Sequence, residues 1–243
     1  MRETYPSESW CARKCPAEGS FSGRAKNRAN EPTPRAKWWV ESGKTSTGPR
    51  RPVNNRLTGG LQLSRHQVRS PYDPLVTARI RFATPADYAA VETIENAADR
   101  LLIDWLLPEK WPPAPSGASR ASEPGYILVA EATDTGAVVG FVHVIESDKI
   151  AHLEQLSVLP EYGRRGYGRM LVDAAKEEAR GRGHTRLTLR TYADVPWNAP
   201  FYSRAGFAEE APSTDFHRKL VHVEDGLELA RYGRRVQMVA VLE

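Results

Sequence analysis

Residues 151–181 read AHLEQLSVLPEYGRRGYGRMLVDAAKEEARG, an apolar extended run that passes through glycines and arginines straight into an amphipathic helix. The extended run changes phase partway: Leu153 occupies an odd position, whereas Leu156 and Val158 occupy even ones. Side chains alternate between the two faces of a strand. If both sets face one core, an extra residue lies between them, which is a β-bulge. Beyond the loop, Met170, Leu171, Ala174, Ala175 and Ala179 share one helical face, and Gly181 and Gly183 stop the helix. Few folds accommodate a bulged strand, a glycine-rich turn and a helix in immediate succession.

The elements on either side narrow the choice. TARIRFAT, from Thr77, alternates as a half-buried strand does. Thr84 and Pro85 then mark a helix start, with Thr84 capping and Pro85 in the first turn. ADYAAVETIENAADRLLIDWLL sets Tyr88, Val91, Ile94, Glu95 and Ala98 at three- and four-residue steps, which predicts one or two helices. The Pro-rich stretch from Pro108 to Pro124 is long for a connector and has the character of a lid or binding element. GYILVAEA and AVVGFVHVIES, around Thr133-Asp134-Thr135-Gly136, predict a hairpin. After the helix in RMLVDAAKEEARGRG, RLTLRTY reads as a strand, NAPFYSRAGF as a short helix capped by Asn198 and ended by Gly206, and RRVQMVAVL as a last strand. The expected class is α+β, with a mixed, mainly antiparallel sheet flanked by helices in one domain over residues 76–243.

Residues 1–75 differ in kind. They carry 14 Lys+Arg against 6 Asp+Glu, 8 of the 18 prolines and only 8 residues of the Leu/Ile/Val/Phe set, which predicts a disordered basic arm. Such an arm could grip nucleic acid or an anionic membrane surface. Its basic residues are scattered rather than blocked, which equally suits an extension without a role, one created by a start codon assigned too far upstream. Cys11 and Cys15 are the only cysteines, with no second pair or nearby histidine to complete a four-ligand site, so no metal is expected. No run reaches the roughly 18 apolar residues of a membrane span, and the expected setting is cytoplasmic.

The loop LPEYGRRGYGRML admits a solvated turn or an anion cradle. A helix start carries unpaired N–H groups and partial positive charge. Gly163, Gly166 and Gly168 permit close backbone approach and positive φ, while Arg164, Arg165 and Arg169 supply forked donors. A dinucleotide-binding turn wants the first strand of a βαβ unit, whereas this loop follows antiparallel strands. A Walker loop is excluded because no Gly-Lys-Ser/Thr follows.

SVLPEYGRRGYGRML together with NAPFYSRAGF strongly resembles the GCN5-related N-acetyltransferase (GNAT) family over about residues 76–243. The resemblance implies a bulged strand before the loop and a pyrophosphate cradle for acetyl-CoA at the helix start. It also implies a later helix that brings a tyrosine near the thioester sulfur. Carried onto this chain, the coenzyme contacts fall on Leu156, Ser157, Val158, Gly163, Arg164, Arg165, Gly166, Tyr167, Gly168, Arg169, Asn198 and Tyr202. The family pattern is Arg/Gln-x-x-Gly-x-Gly/Ala, and here Gly163 takes the first place. Backbone cradling survives that change, with Arg164 or Arg165 in place of the missing charge.

The activity so implied is direct transfer of an acetyl group from acetyl-CoA to a primary amine of an unidentified small molecule, peptide or protein, with no covalent enzyme intermediate. Tyr202 is the candidate acid for the departing thiolate. Glu154 is the leading candidate base, because a carboxylate in an apolar strand beside a bulge is costly unless it faces a cleft or a partner. His152 is the alternative base, and ordered water a third. By position, Trp105, Trp111, Tyr192, Asp194, Trp197, Phe216 and His217 are the candidates for the acceptor pocket. The expected assembly is a monomer or homodimer. The rival reading is a non-catalytic acyl-CoA-binding or nucleic-acid-associated adaptor that uses the basic arm.

Overall fold

The computed structural model describes residues 67–69, 77–147 and 149–243. Readings that concern residues 1–66, Cys11 and Cys15 among them, lie outside the described residues. Among the described residues eight strands form one sheet: β1 (Gln67–Arg69), β2 (Thr77–Phe82), β3 (Gly125–Ala132), β4 (Val138–Ser147), β5 (Ile150–Val158), β6 (Arg186–Tyr192), β7 (Ala208–Glu209) and β8 (Arg235–Val241). Their order is β1-β2-β3-β4-β5-β6-β8-β7, and every neighbouring pair is antiparallel except β5 and β6. Gln67–Arg69, inside the stretch expected to be unstructured, belongs to the sheet because it pairs with Thr77–Arg79.

The helices are α1 (Tyr88–Leu106), α2 (Gly117–Ala121), α3 (Tyr167–Gly181), α4 (Ala199–Arg204) and α5 (Asp215–Gly226). Thr84 and Asp87 build the start of α1. The Asp87 carboxylate accepts from the Thr84 N–H and hydroxyl at 2.8 Å each, and Arg81 donates to both of its oxygens. The predicted helical segment is one helix, ended by Leu107 in the left-handed region. Asn198 heads α4 through its carbonyl, which accepts the N–H groups of Phe201 and Tyr202, while its side chain makes no capping bond. That corrects the expected side-chain cap. The 208–234 stretch contains α5, which the sequence reading left unassigned although Thr214 caps it, accepting from the His217 N–H.

The two faces of the sheet are packed differently. Helix α3 covers one, burying Met170, Leu171, Val172, Ala175 and Ala179 against Leu128, Val142, Val144, Leu153, Leu187 and Leu189. On the other, Val91 and Ile94 of α1 pack on Ile127, Val129 and Phe141. Beside that smaller cluster, Arg120 donates to both oxygens of Glu95 at 2.7 and 2.5 Å and lies 3.3 Å from His143 Nδ1. Gly117 makes this possible. A Cβ there would stand 2.4 Å from the Tyr88 carbonyl oxygen, so only glycine lets α2 close onto the start of α1.

Candidate active site

The bulge forecast from the phase of Leu153, Leu156 and Val158 is present, and its extra residue is Glu154. His143 pairs with Gln155 and the next residue, Val144, pairs with Leu153, so Glu154 has no partner across the ladder. Leu153, Leu156 and Val158 accordingly all reach the α3 side of the core. On the other edge of β5, pairing to β6 runs only from Ala151↔Leu187 to Leu153↔Leu189, although the strands continue to Val158 and Tyr192. The strands part at the bulge and leave the backbone of residues 154–158 unpaired on that side.

A cavity of about 180 Å³ lies where they part. Glu154 and Leu156 line it from β5, Arg190 and Tyr192 from β6, and Asn198 and Tyr202 from the start of α4. Lys110 and Trp111 of the Pro-rich stretch close one wall. That stretch is tied to α1, since Trp111 Nε1 donates to Asp99 at 2.7 Å and the Ala114 N–H donates to Asn96 at 2.9 Å. Of the residues expected in the acceptor pocket, Trp111 and Tyr192 line the cavity and the rest do not. Trp105 and Trp197 pack edge to face, Phe216 and His217 pack on His152, and Asp194 is exposed.

Electrostatics separates the two candidate bases. The Glu154 side chain is 4% exposed and, among the described residues, its Oε1 has no hydrogen-bond partner. Burial pushes its carboxyl up to about 7, against the opposing charge of Arg120. His152, also buried, is held down to about 3 by burial and by His217 and Arg190, so it stays neutral. Its Nδ1 is bonded to Thr188 Oγ1 at 2.9 Å, its Nε2 lies 3.9 Å from Glu154, and it does not line the cavity. Thr188 in turn bonds His217 Nε2 at 3.1 Å. Tyr202, against Phe201 and Phe207, is raised above the ordinary phenol range by burial and keeps its proton at neutral pH.

The glycine and arginine loop joins the far end of β5 to α3. Its left-handed residues are Arg164 (φ 59°) and Gly166 (φ 93°). Gly163 is extended and Gly168 helical, which narrows the expectation that all three glycines serve unusual φ. The first bond of α3 runs from the Met170 N–H to the Gly166 carbonyl. The N–H groups of Tyr167, Gly168 and Arg169 therefore have no intrahelical acceptor. Arg164 and Arg165 are exposed, whereas Arg169 is engaged with Asp173 and the Arg204 carbonyl. Among the described residues no group of three or more metal-ligating side chains converges, and no helix is long and apolar enough to cross a membrane.

Two features escaped the sequence reading: the buried Glu95–Arg120 pair, and Arg190 and Arg235 in the cavity wall. A buried arginine in the short segment GASRA has no periodic signal, and arginines in RLTLRTY and RRVQMVAVL read as the solvated face of a strand.

A model of the acetyltransferase (GNAT) family matches residues 92–207. Over 111 residues the chain is 32% identical to aminoglycoside N(6')-acetyltransferase type 1 of Klebsiella aerogenes, covering 42% of this chain and 72% of that one. It is 32% identical over 139 residues to the mycothiol acetyltransferase of Nocardia farcinica, covering 52% of this chain and 44% of that one. Among solved structures, the ribosomal-protein-S18-alanine N-acetyltransferase of Escherichia coli matches with a TM-score of 0.49 and 22% identity, over 68% of this chain and 94% of that one. The chain belongs to the GNAT family of acetyltransferases.

Proposed function

We propose that the protein transfers an acetyl group from acetyl-CoA directly to a primary amine, in the cavity where β5 and β6 part. The observation that carries this reading is the bulge residue Glu154, a buried carboxyl poised near pH 7, in one lining with Tyr202, a phenol that keeps its proton. Glu154 takes the proton of the attacking amine and Tyr202 donates to the departing thiolate, roles that need these opposite protonation states. His152 is neutral and stands behind Glu154 as a packing neighbour. The coenzyme fits two features. The unpaired edge of residues 154–158 offers backbone donors and acceptors to an extended pantetheine arm, and the free N–H groups at the start of α3, with Arg164 and Arg165, suit a pyrophosphate. The aminoglycoside relative is named for transfer to an amine, which agrees with this reaction.

Calorimetric titration with acetyl-CoA tests the coenzyme, and no binding at millimolar ligand would remove it. Tyr202→Phe should lower kcat by about 10²-fold while the affinity for acetyl-CoA stays within about twofold. An unchanged kcat would take Tyr202 out of the chemistry.

A further inference from the structure

Helix α4, which carries Tyr202, is 6 residues long and too short to hold itself in water. Its last turn is nevertheless fully bonded. The Phe207 N–H donates to the Tyr202 carbonyl and the Gly206 N–H to the Ser203 carbonyl, with Gly206 left-handed at φ 84°, the paired bonds of a Schellman ending. The next two carbonyls are taken by α3. Arg169 donates to the Arg204 carbonyl at 2.8 Å, and the Lys176 ammonium donates to the Ala205 carbonyl.

Arg169 and Lys176 stand about two turns apart on α3, so both project from one flank of it. Asp173, between them, accepts from Arg169 Nε at 2.9 and 2.8 Å and holds the guanidinium in place. Lys176 is half-buried, and its Nζ lies 4.9 Å from the centre of the Phe207 ring. That ring meets the Tyr202 ring edge to face, with centroids 5.7 Å apart. Lys176 therefore reaches Tyr202 by two routes, through the backbone at Ala205 and through the Phe207 ring. A cation also suits the negative end of a helix. Gly206 leaves room for it, since a Cβ there would stand 3.3 Å from Lys176 Nζ.

Resting on the transferase reading above, we propose that Lys176 is a positioning residue for Tyr202, docking α4 on α3 so that the acid keeps its place in the cavity lining. The start of the same α3 presents the N–H groups of Tyr167, Gly168 and Arg169 that suit the pyrophosphate. One rigid helix then fixes both the phosphate and the group that protonates the sulfur. Transfer geometry is unforgiving, a displacement of about 1 Å costing about 10²-fold in rate. The docking of so short a helix accordingly governs the transfer step rather than coenzyme binding.

The test uses the full chain and follows release of the coenzyme A thiol from acetyl-CoA, with tyramine, spermidine or kanamycin as acceptor, and with water where none of them adds to the rate. Lys176→Met keeps an unbranched side chain and loses the donor. It should lower kcat about tenfold and leave KM for acetyl-CoA within about twofold. In a Tyr202→Phe background the same substitution should change kcat by less than about twofold, because no acid is left to misplace. Equal losses in the two backgrounds, as a merely structural lysine would give, or no loss in the parent, would overturn the proposal. Tyr202→Phe alone separates the two failures: kcat lost there but kept in Lys176→Met removes the role of Lys176 and leaves the acid standing. If Lys176→Met does not fold, Gly206→Ala, which presses on the same ammonium from the other side, should show the same loss and the same dependence on Tyr202. Hydrogen exchange needs no acceptor. In either variant the amides of Phe201, Tyr202, Ala205 and Phe207 should exchange at least about tenfold faster than in the parent, with those of β6 unmoved, and equal exchange would overturn the docking role.

Discussion

Glu154→Gln should lower kcat/KM by about 10²–10⁴-fold at pH 8 and abolish the rise of rate with pH centred near 7. The carboxyl loses its proton near 7, so the base is available above that pH and lost below it. An arylamine acceptor, whose nitrogen is unprotonated throughout the range, keeps its own titration out of the profile. The same residue also couples activity to stability. Unfolded, it ionises near its ordinary 4.5, so between 4.5 and 7 the native protein holds a proton that the unfolded chain has released. Its contribution to stability therefore falls as pH rises through that window. Glu154→Gln, neutral at every pH, should be more stable than the parent above pH 7 by up to about 3 kcal/mol, and the difference should vanish near pH 4. A variant that keeps both the rate and the rising limb would pass the role to water.

Arg120→Met should cost about 3–5 kcal/mol in urea unfolding. Arg120 and Glu95 are 1% and 0% exposed, and removing the cation strands a carboxylate in the core. Replacing both, as Glu95→Met with Arg120→Leu, should recover most of the loss, because two apolar side chains need no partner. The pair also bears on the proposed base. The charge of Arg120 holds the Glu154 carboxyl down, so in Arg120→Met the rising limb should move to higher pH. A single variant within about 1 kcal/mol of the parent would show that Glu95 finds other compensation.

Much of this site was legible because strand periodicity is a strict signal. The phase change between Leu153 and Leu156 could only be a bulge if both faced one core, and the residue it displaced proved to be Glu154. The loop and α3 were legible for the same reason, since glycines and a 3.6-residue stripe have few alternatives. What the sequence hid depends on contacts between distant segments. Arg120 is 25 residues from Glu95, and Arg190 is 34 from Glu224, so neither pair leaves a local pattern. Helix α5 had a local signal, Thr214 followed by Phe216, Leu220 and Val223, but a mixture of charges with one short apolar stripe kept it faint. The Asn198 cap was predicted from residue type. The structure satisfies the first N–H groups of α4 with the Asn198 carbonyl instead, and Asn198 is among the residues lining the cavity.

The decisive experiment is a crystal structure of the chain with coenzyme A. The pyrophosphate should lie on the N–H groups of residues 166–169, the pantetheine arm along the unpaired edge of residues 154–158, and the thiol between Glu154 and Tyr202. A coenzyme bound elsewhere, or a thiol that does not enter the opening between β5 and β6, would contradict this placement.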